Sequence, residues 1–158
     1  MSKGSPCASA PLRVSSAYLG WPGATIIRHA SPRATVDSFA ELLGLAELDM
    51  GDGHATARLD TGKQHANLGG IVHGGALAAL LDFALGAAVV STLKDGEWCA
   101  TQSLTTDFLR PADPGAVLTA RARVDRRGKL AAFPSGEIVD AQGAVIARAT
   151  GVWAVRTG

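Results

Sequence analysis

The chain has 158 residues, 47% of them hydrophobic and 18% charged, with a mean hydropathy of +0.17; this balance builds one sizeable core and leaves little for a second domain. Fifteen Lys and Arg against 14 Asp and Glu give a formal net charge of +1, so no electrostatic footprint argues for nucleic acid or an anionic membrane as partner. The two cysteines, Cys7 and Cys99, are too few for a disulfide framework or a zinc site and read as free thiols in a reducing compartment, the cytoplasm by default.

Residues 1–34 are rich in Ser, Pro, Ala and Gly and hold no sustained period. Pro6, Pro11 and Arg13 interrupt any apolar run, so the segment reads as an extension to a domain over 35–158 and not as a secretory signal. TVDSFAELLG then predicts a short helix, with Thr35 or Asp37 as cap, Phe39, Leu42 and Leu43 as its apolar face and Gly44 as its stop. LAELDMGDGHATARLD alternates apolar and polar residues about Gly51-Asp52-Gly53, which predicts a β-hairpin.

The run from Gly74 to Leu93 is long enough to raise a membrane reading. A carboxylate near its centre, Asp82, would cost about 3 kcal/mol there, and the run is Ala- and Gly-rich, so a helix buried in a globular domain is expected instead. Four strands follow at Trp98–Phe108, Val117–Asp125, Leu130–Val139 and Val145–Val155, punctuated by turns at Arg110–Gly115, Arg126–Lys129 and Asp140–Gly143. Strands joined by short turns pair antiparallel, and one long helix is available to cover them. The expected class is α+β, an antiparallel sheet wrapped around that helix. Pro134 is awkward within a ladder, and a bulge is expected there beside Ser135 and Gly136.

Asp82 is the only polar side chain between Gly74 and Val90, so no solvated face accounts for it. Its neighbours along the helix are Ala78, Ala79, Leu85 and Gly86, which leave room for a narrow ligand or for another helix. A buried carboxylate persists when it is paired, hydrogen-bonded or used. His73-Gly74-Gly75 opens the same helix, where free backbone N–H groups and a partial positive charge suit an oxyanion; alone, the glycines would simply make a tight turn. Upstream, His65 and Asn67 lie in a glycine-containing loop, where turn capping and a surface histidine are the plainer readings. Acid, amide donors and asparagine together fit hydrolysis of an activated carbonyl. No G-x-S-x-G elbow, cysteine-nucleophile signature or H-E-x-x-H zinc motif is present, which leaves carboxylate chemistry without a metal, and a thioester is a suitable target because a thiolate leaves readily.

The pattern H-x-N-x-x-G-x-x-H-G-G followed by an apolar helix with Asp, here His65, Asn67, Gly70, His73, Gly74, Gly75 and Asp82, resembles the PaaI-like branch of the hotdog-fold acyl-CoA thioesterases. The resemblance runs on through TQSLTTDFLRPA and covers roughly residues 40–156. It implies hydrolysis of an aryl-acyl-CoA or a medium- or long-chain fatty acyl-CoA, with coenzyme A as part of the substrate and no further cofactor. Asp82 is then nucleophile or general base, Gly74 the amide that polarises the carbonyl, and Asn67 a residue that holds the carbonyl or the water. Thr101 falls where this branch often carries a Ser or Thr that orients the water or the carboxylate, while His73, Gly75 and His65 would support the loop. Arg110, Arg126, Arg127 and Lys129 are loop cations suited to the phosphates of coenzyme A.

Gly74 and Asp82 lie eight positions apart on one helix, about 12 Å at 1.5 Å per residue, so one carbonyl cannot touch both. The resemblance resolves this with a homodimer, or a dimer of dimers, in which Asn67 and Gly74 of one subunit face Asp82 and Thr101 of the other. The competing reading is a non-catalytic hotdog module that binds acyl-CoA or an acyl carrier through the same pocket. The sequence does not distinguish the acyl group, nucleophilic from general-base chemistry, dimer from tetramer, or a role for the extension.

Overall fold

In the computed structural model, residues 13–14 and 38–157 are described. The proposed caps Thr35 and Asp37, Cys7 and most of the N-terminal extension lie outside them. Strands β1 (Arg13–Val14), β2 (Leu45–Gly51), β3 (His54–Asp60), β4 (Glu97–Phe108), β5 (Val117–Arg127), β6 (Ala131–Val139) and β7 (Val145–Thr157) form one sheet in the order β1-β2-β3-β5-β6-β7-β4. All neighbours pair antiparallel except the two-residue β1, which runs parallel to β2. Helix α1 (Ser38–Leu43) leads into β2, and helix α2 (Gly74–Val90) packs against β2 through β7.

The β2–β3 turn needs a positive φ at both central residues, and Asp52 (50°) and Gly53 (77°) supply it, the geometry whose twist matches antiparallel strands. Gly44 (74°) ends α1 in the left-handed conformation expected of a helix stop. The core forms where α2 meets the sheet: Leu80, Leu81, Ala84, Leu85, Ala88 and Val89 are fully buried against Leu59, Leu118, Ala120, Ile138 and Ala147. Among the described residues no helix is long and apolar enough to cross a membrane.

Three expectations are corrected. The apolar face of α1 is not Phe39–Leu42–Leu43: Ala40 is the buried residue, while Phe39 and Leu42 are 60% and 80% exposed. A six-residue helix is too short for its period to select a face, and the sheet selects the small one. Helix α2 stops at Val90, three residues before Leu93, because the hydroxyls of Ser91 and Thr92 bond back to the carbonyls of Ala88 and Val89. Pro134 sits in an inner strand, and the bulge lies opposite it in β5, where the register shifts between Val124 and Arg126. On its other side the β6–β7 pairing skips Phe133 and Pro134, since proline has no N–H to give.

Candidate active site

A second bulge decides the site. The β4–β7 register shifts between Thr101 and Ser103, so Gln102 is the extra residue. Ser103, Thr105 and Asp107 of β4 stand on the outer face, in line with Val152, Thr150 and Arg148. In an unbroken strand Thr101 would follow them outward, because side chains alternate with a period of two. The bulge turns Thr101 onto the helix side, level with the buried Trp153, and its Oγ1 donates to Asp82 Oδ1 at 2.9 Å. Nothing in the TQSLT stretch signals this extra residue.

Asp82 is half-buried in the single chain, not enclosed as the apolar run led one to expect. The face of α2 turned from the core comprises Gly75, Ala78, Ala79, Asp82, Phe83, Gly86 and Val90, at helical spacing. One carboxylate oxygen is held by Thr101, which fixes the orientation of the other. Eight residues away, α2 opens with His73 as cap: its Nδ1 accepts from the Gly75 N–H at 2.8 Å, a bond that requires Nδ1 to be unprotonated. The Gly74 N–H has no partner among the described residues and is the free donor of this terminus. The Phe108 ring covers Gly74 so closely that a Cβ there would meet Cζ at 3.3 Å, so Phe108, which the sequence did not single out, walls the donor.

Asn67 shapes the loop ahead of α2. Its Oδ1 accepts from the N–H groups of Gly69 (2.8 Å) and Ile71 (3.4 Å), which leaves the side-chain NH2 as the group able to donate outward. His65 is buried at 5% exposure, not a surface residue: Nδ1 accepts from Gly62 N–H at 2.9 Å and Nε2 donates to the Leu43 carbonyl at 2.8 Å. With both ring nitrogens committed it ties α1 to the loop and takes no part in proton transfer. Burial pushes the Cys99 thiol up to about 11 against the pull of Arg127, so it stays protonated and unreactive near neutrality. Among the described residues no three His, Cys, Asp or Glu side chains converge on a metal position.

The four cations do not come together in one chain. Arg110 lies past the end of β4, by the start of α2, with Nη1 on the Val145 carbonyl at 2.7 Å. Arg126, Arg127 and Lys129 sit at the other end of the sheet, about 35 Å away along a strand of β4's length. Arg127 is spent on Glu97, with Nη2 to Oε2 at 2.6 Å, and on the Gly128 carbonyl. The Lys94 amide and Arg127 together hold the Glu97 carboxyl below the ordinary glutamate range.

Comparison with known proteins agrees with this arrangement. The family model of the thioesterase superfamily matches residues 69–147. The chain is 34% identical over 111 residues to the acyl-coenzyme A thioesterase PaaI of Escherichia coli K12, an alignment covering 70% of this chain and 77% of that one. The crystal structure of a phenylacetic acid degradation-related protein from Ralstonia eutropha JMP134 superposes with a TM-score of 0.71 at 32% identity, over 84% of this chain and 98% of that one. A hypothetical thioesterase protein from Streptococcus pneumoniae TIGR4, solved with coenzyme A, gives a TM-score of 0.66 at 25% identity, over 70% and 85% of the two chains. The chain therefore belongs to the thioesterase superfamily of hotdog fold, within its PaaI-like branch.

Proposed function

We propose that the protein is an acyl-CoA thioesterase that hydrolyses an aryl-acyl-CoA or a medium- or long-chain fatty acyl-CoA to the free acid and coenzyme A, in sites shared by two subunits. The observation that carries this reading is the Thr101–Asp82 hydrogen bond on the open face of α2. It orients a carboxylate where the fold leaves space beside small residues. Membership of a family whose E. coli relative is named an acyl-coenzyme A thioesterase supports the substrate class.

The Gly74 N–H and the Asn67 NH2 bind the thioester oxygen and take up the charge that develops on it. The Asp82 oxygen not held by Thr101 draws a proton from water, or attacks the carbonyl carbon itself; the C–S bond then breaks and the thiolate of coenzyme A leaves. Both routes use the same oxygen, and a single turnover in ¹⁸O-labelled water separates them: direct attack places unlabelled enzyme oxygen in the first acid released.

Gly74 and Asp82 are about 12 Å apart along α2, so each chain holds the two halves of different sites. A helix that is apolar all round is normally covered all round. The exposed side of α2, next to the edge strand β4, is where a second copy would cover it. The test mixes Asn67→Ala with Asp82→Asn subunits, each without activity alone. Every mixed dimer holds one doubly damaged and one intact site, and random exchange makes about half the dimers mixed, so release of free thiol should return to about a quarter of wild type. No recovery after verified exchange refutes the shared site. Full thioesterase activity in Asp82→Asn alone refutes the catalytic role of the acid, and no cleavage of any acyl-CoA by the wild type leaves the binding module.

A further inference from the structure

On the side of the sheet away from α2, a shallow depression of about 700 Å³ is lined by charged and hydroxyl side chains. The strand registers order them. Arg121 of β5 pairs with Glu137 of β6, Glu137 with Arg148 of β7, and Arg148 with Asp107 of β4. One row thus reads plus, minus, plus, minus across four strands. The inner two members form an ion pair at 3.4 Å, whereas the outer two, Arg121 and Asp107, are exposed and have no ion-pair partner among the described residues.

We propose that this face is an interface for a second copy of the chain, joined by a two-fold axis parallel to the strands and midway between β6 and β7. Such an axis reverses the row. Arg121 then meets Asp107 of the other copy, Glu137 meets its Arg148, and each contact is made twice. Opposite signs face each other at all four positions. The adjacent row behaves in the same way: Arg123 meets a threonine, Thr105, and Ser135 meets Thr150, so no like charges oppose. A two-fold axis running along the row would instead set each residue on its own copy and oppose like charges four times, which excludes that packing. Sheets stacked face to face lie about 10 Å apart, a gap that an arginine and an aspartate span together. The face lies opposite the helix side that carries Asp82, so the inference does not depend on the catalytic reading.

Charge reversal tests it on the full chain. Sedimentation equilibrium over a range of concentrations should show a stage of self-association that salt weakens. Arg121→Asp and Asp107→Arg should each weaken that stage by at least about tenfold, since each sets like charges together twice. An equimolar mixture of the two variants should recover it, because Asp at 121 in one chain then faces Arg at 107 in the other and the native Asp107 faces the native Arg121. Recovery on mixing also shows that both variants fold. Three results overturn the proposal: single variants that associate like wild type, a mixture that stays as weak as its components, or a wild type that is monomeric throughout. Binding of inorganic pyrophosphate to the face of a wild type that does not associate would mark it as an anion site instead.

Discussion

Replacing Thr101 by Val removes one hydroxyl and leaves branching, volume and strand propensity almost unchanged. The bond lost is the 2.9 Å donation to Asp82 Oδ1, which is charge-assisted and of a kind usually worth about 1.5–3 kcal/mol. Asp82 is half-buried in the chain, so water replaces part of the contact and the effective loss falls to about 1–2 kcal/mol. If the bond fixes the reactive oxygen, that loss appears in the barrier as a fall of about 5- to 30-fold in kcat, with KM little changed. Thr101→Ser keeps the donor and should stay within about threefold of wild type. The assay is steady-state release of free thiol from the acyl-CoA the enzyme cleaves fastest, with unfolding midpoints measured alongside. A folded Thr101→Val protein with more than half the wild-type kcat would show that the threonine is merely a strand residue and that the bulge at Gln102 serves packing alone.

Gly74→Pro deletes the free amide at a helix position proline tolerates, and His73 before it is already extended (ψ 134°), so the fold should survive. Turnover should fall about 100-fold or more, whereas Gly74→Ala, which presses on Phe108 in the same way but keeps the N–H, should retain most of it; equal losses in the two variants would assign the effect to the ring. His65→Phe strands the Leu43 carbonyl and the Gly62 N–H inside the protein and should cost about 3 kcal/mol in denaturant unfolding, with kcat of the folded protein near wild type; an unchanged midpoint would deny the tie between α1 and the loop. Glu97 is held below its ordinary range by the Lys94 amide and Arg127, so its contribution to stability is present above that range and is lost as pH falls through the depressed folded value. Glu97→Gln should therefore show a shallower loss of stability on acidification than wild type, and parallel pH profiles would refute the linkage.

The hairpin and the strands after α2 were legible because their turns carry chemistry that only a few residues supply. Asp52-Gly53 accepts two positive φ values, and Asp140 closes its own turn by taking the N–H groups of Gln142 and Ala144. The face of α1 was not legible, because six residues hold less than two turns and Ala40 competes with Phe39 and Leu42 only through what the sheet offers. Pro134 was read correctly as a break in a ladder but the break was placed in the wrong strand: the residue lacking a donor stays in line, and its neighbour β5 takes up the extra residue. The loop cations failed for a related reason. Closeness in sequence brings Arg126, Arg127 and Lys129 to one turn, yet the turn that carries Arg110 joins the opposite ends of the strands.

Asp82 was visible because it interrupts an apolar helix, and Thr101 was visible only through resemblance, since the bulge that turns it toward the acid leaves no mark on residue type. The same pair explains how the fold holds an acid in an apolar helix. A fully buried carboxylate would lose its hydration at every moment and drift toward its neutral form. Asp82 stands on the side of α2 that the chain's own sheet does not cover, with Thr101 as partner for one oxygen and solvent for the other. Desolvation then comes with assembly and substrate, when the developing oxyanion and its donors at the other subunit's helix start are also in place. The small residues around Asp82 follow from this, because Ala78, Ala79 and Gly86 let a thioester approach an oxygen that bulkier neighbours would bury. Enlarging any of them would make the helix pack better in the single chain and would close the one side on which the chemistry depends.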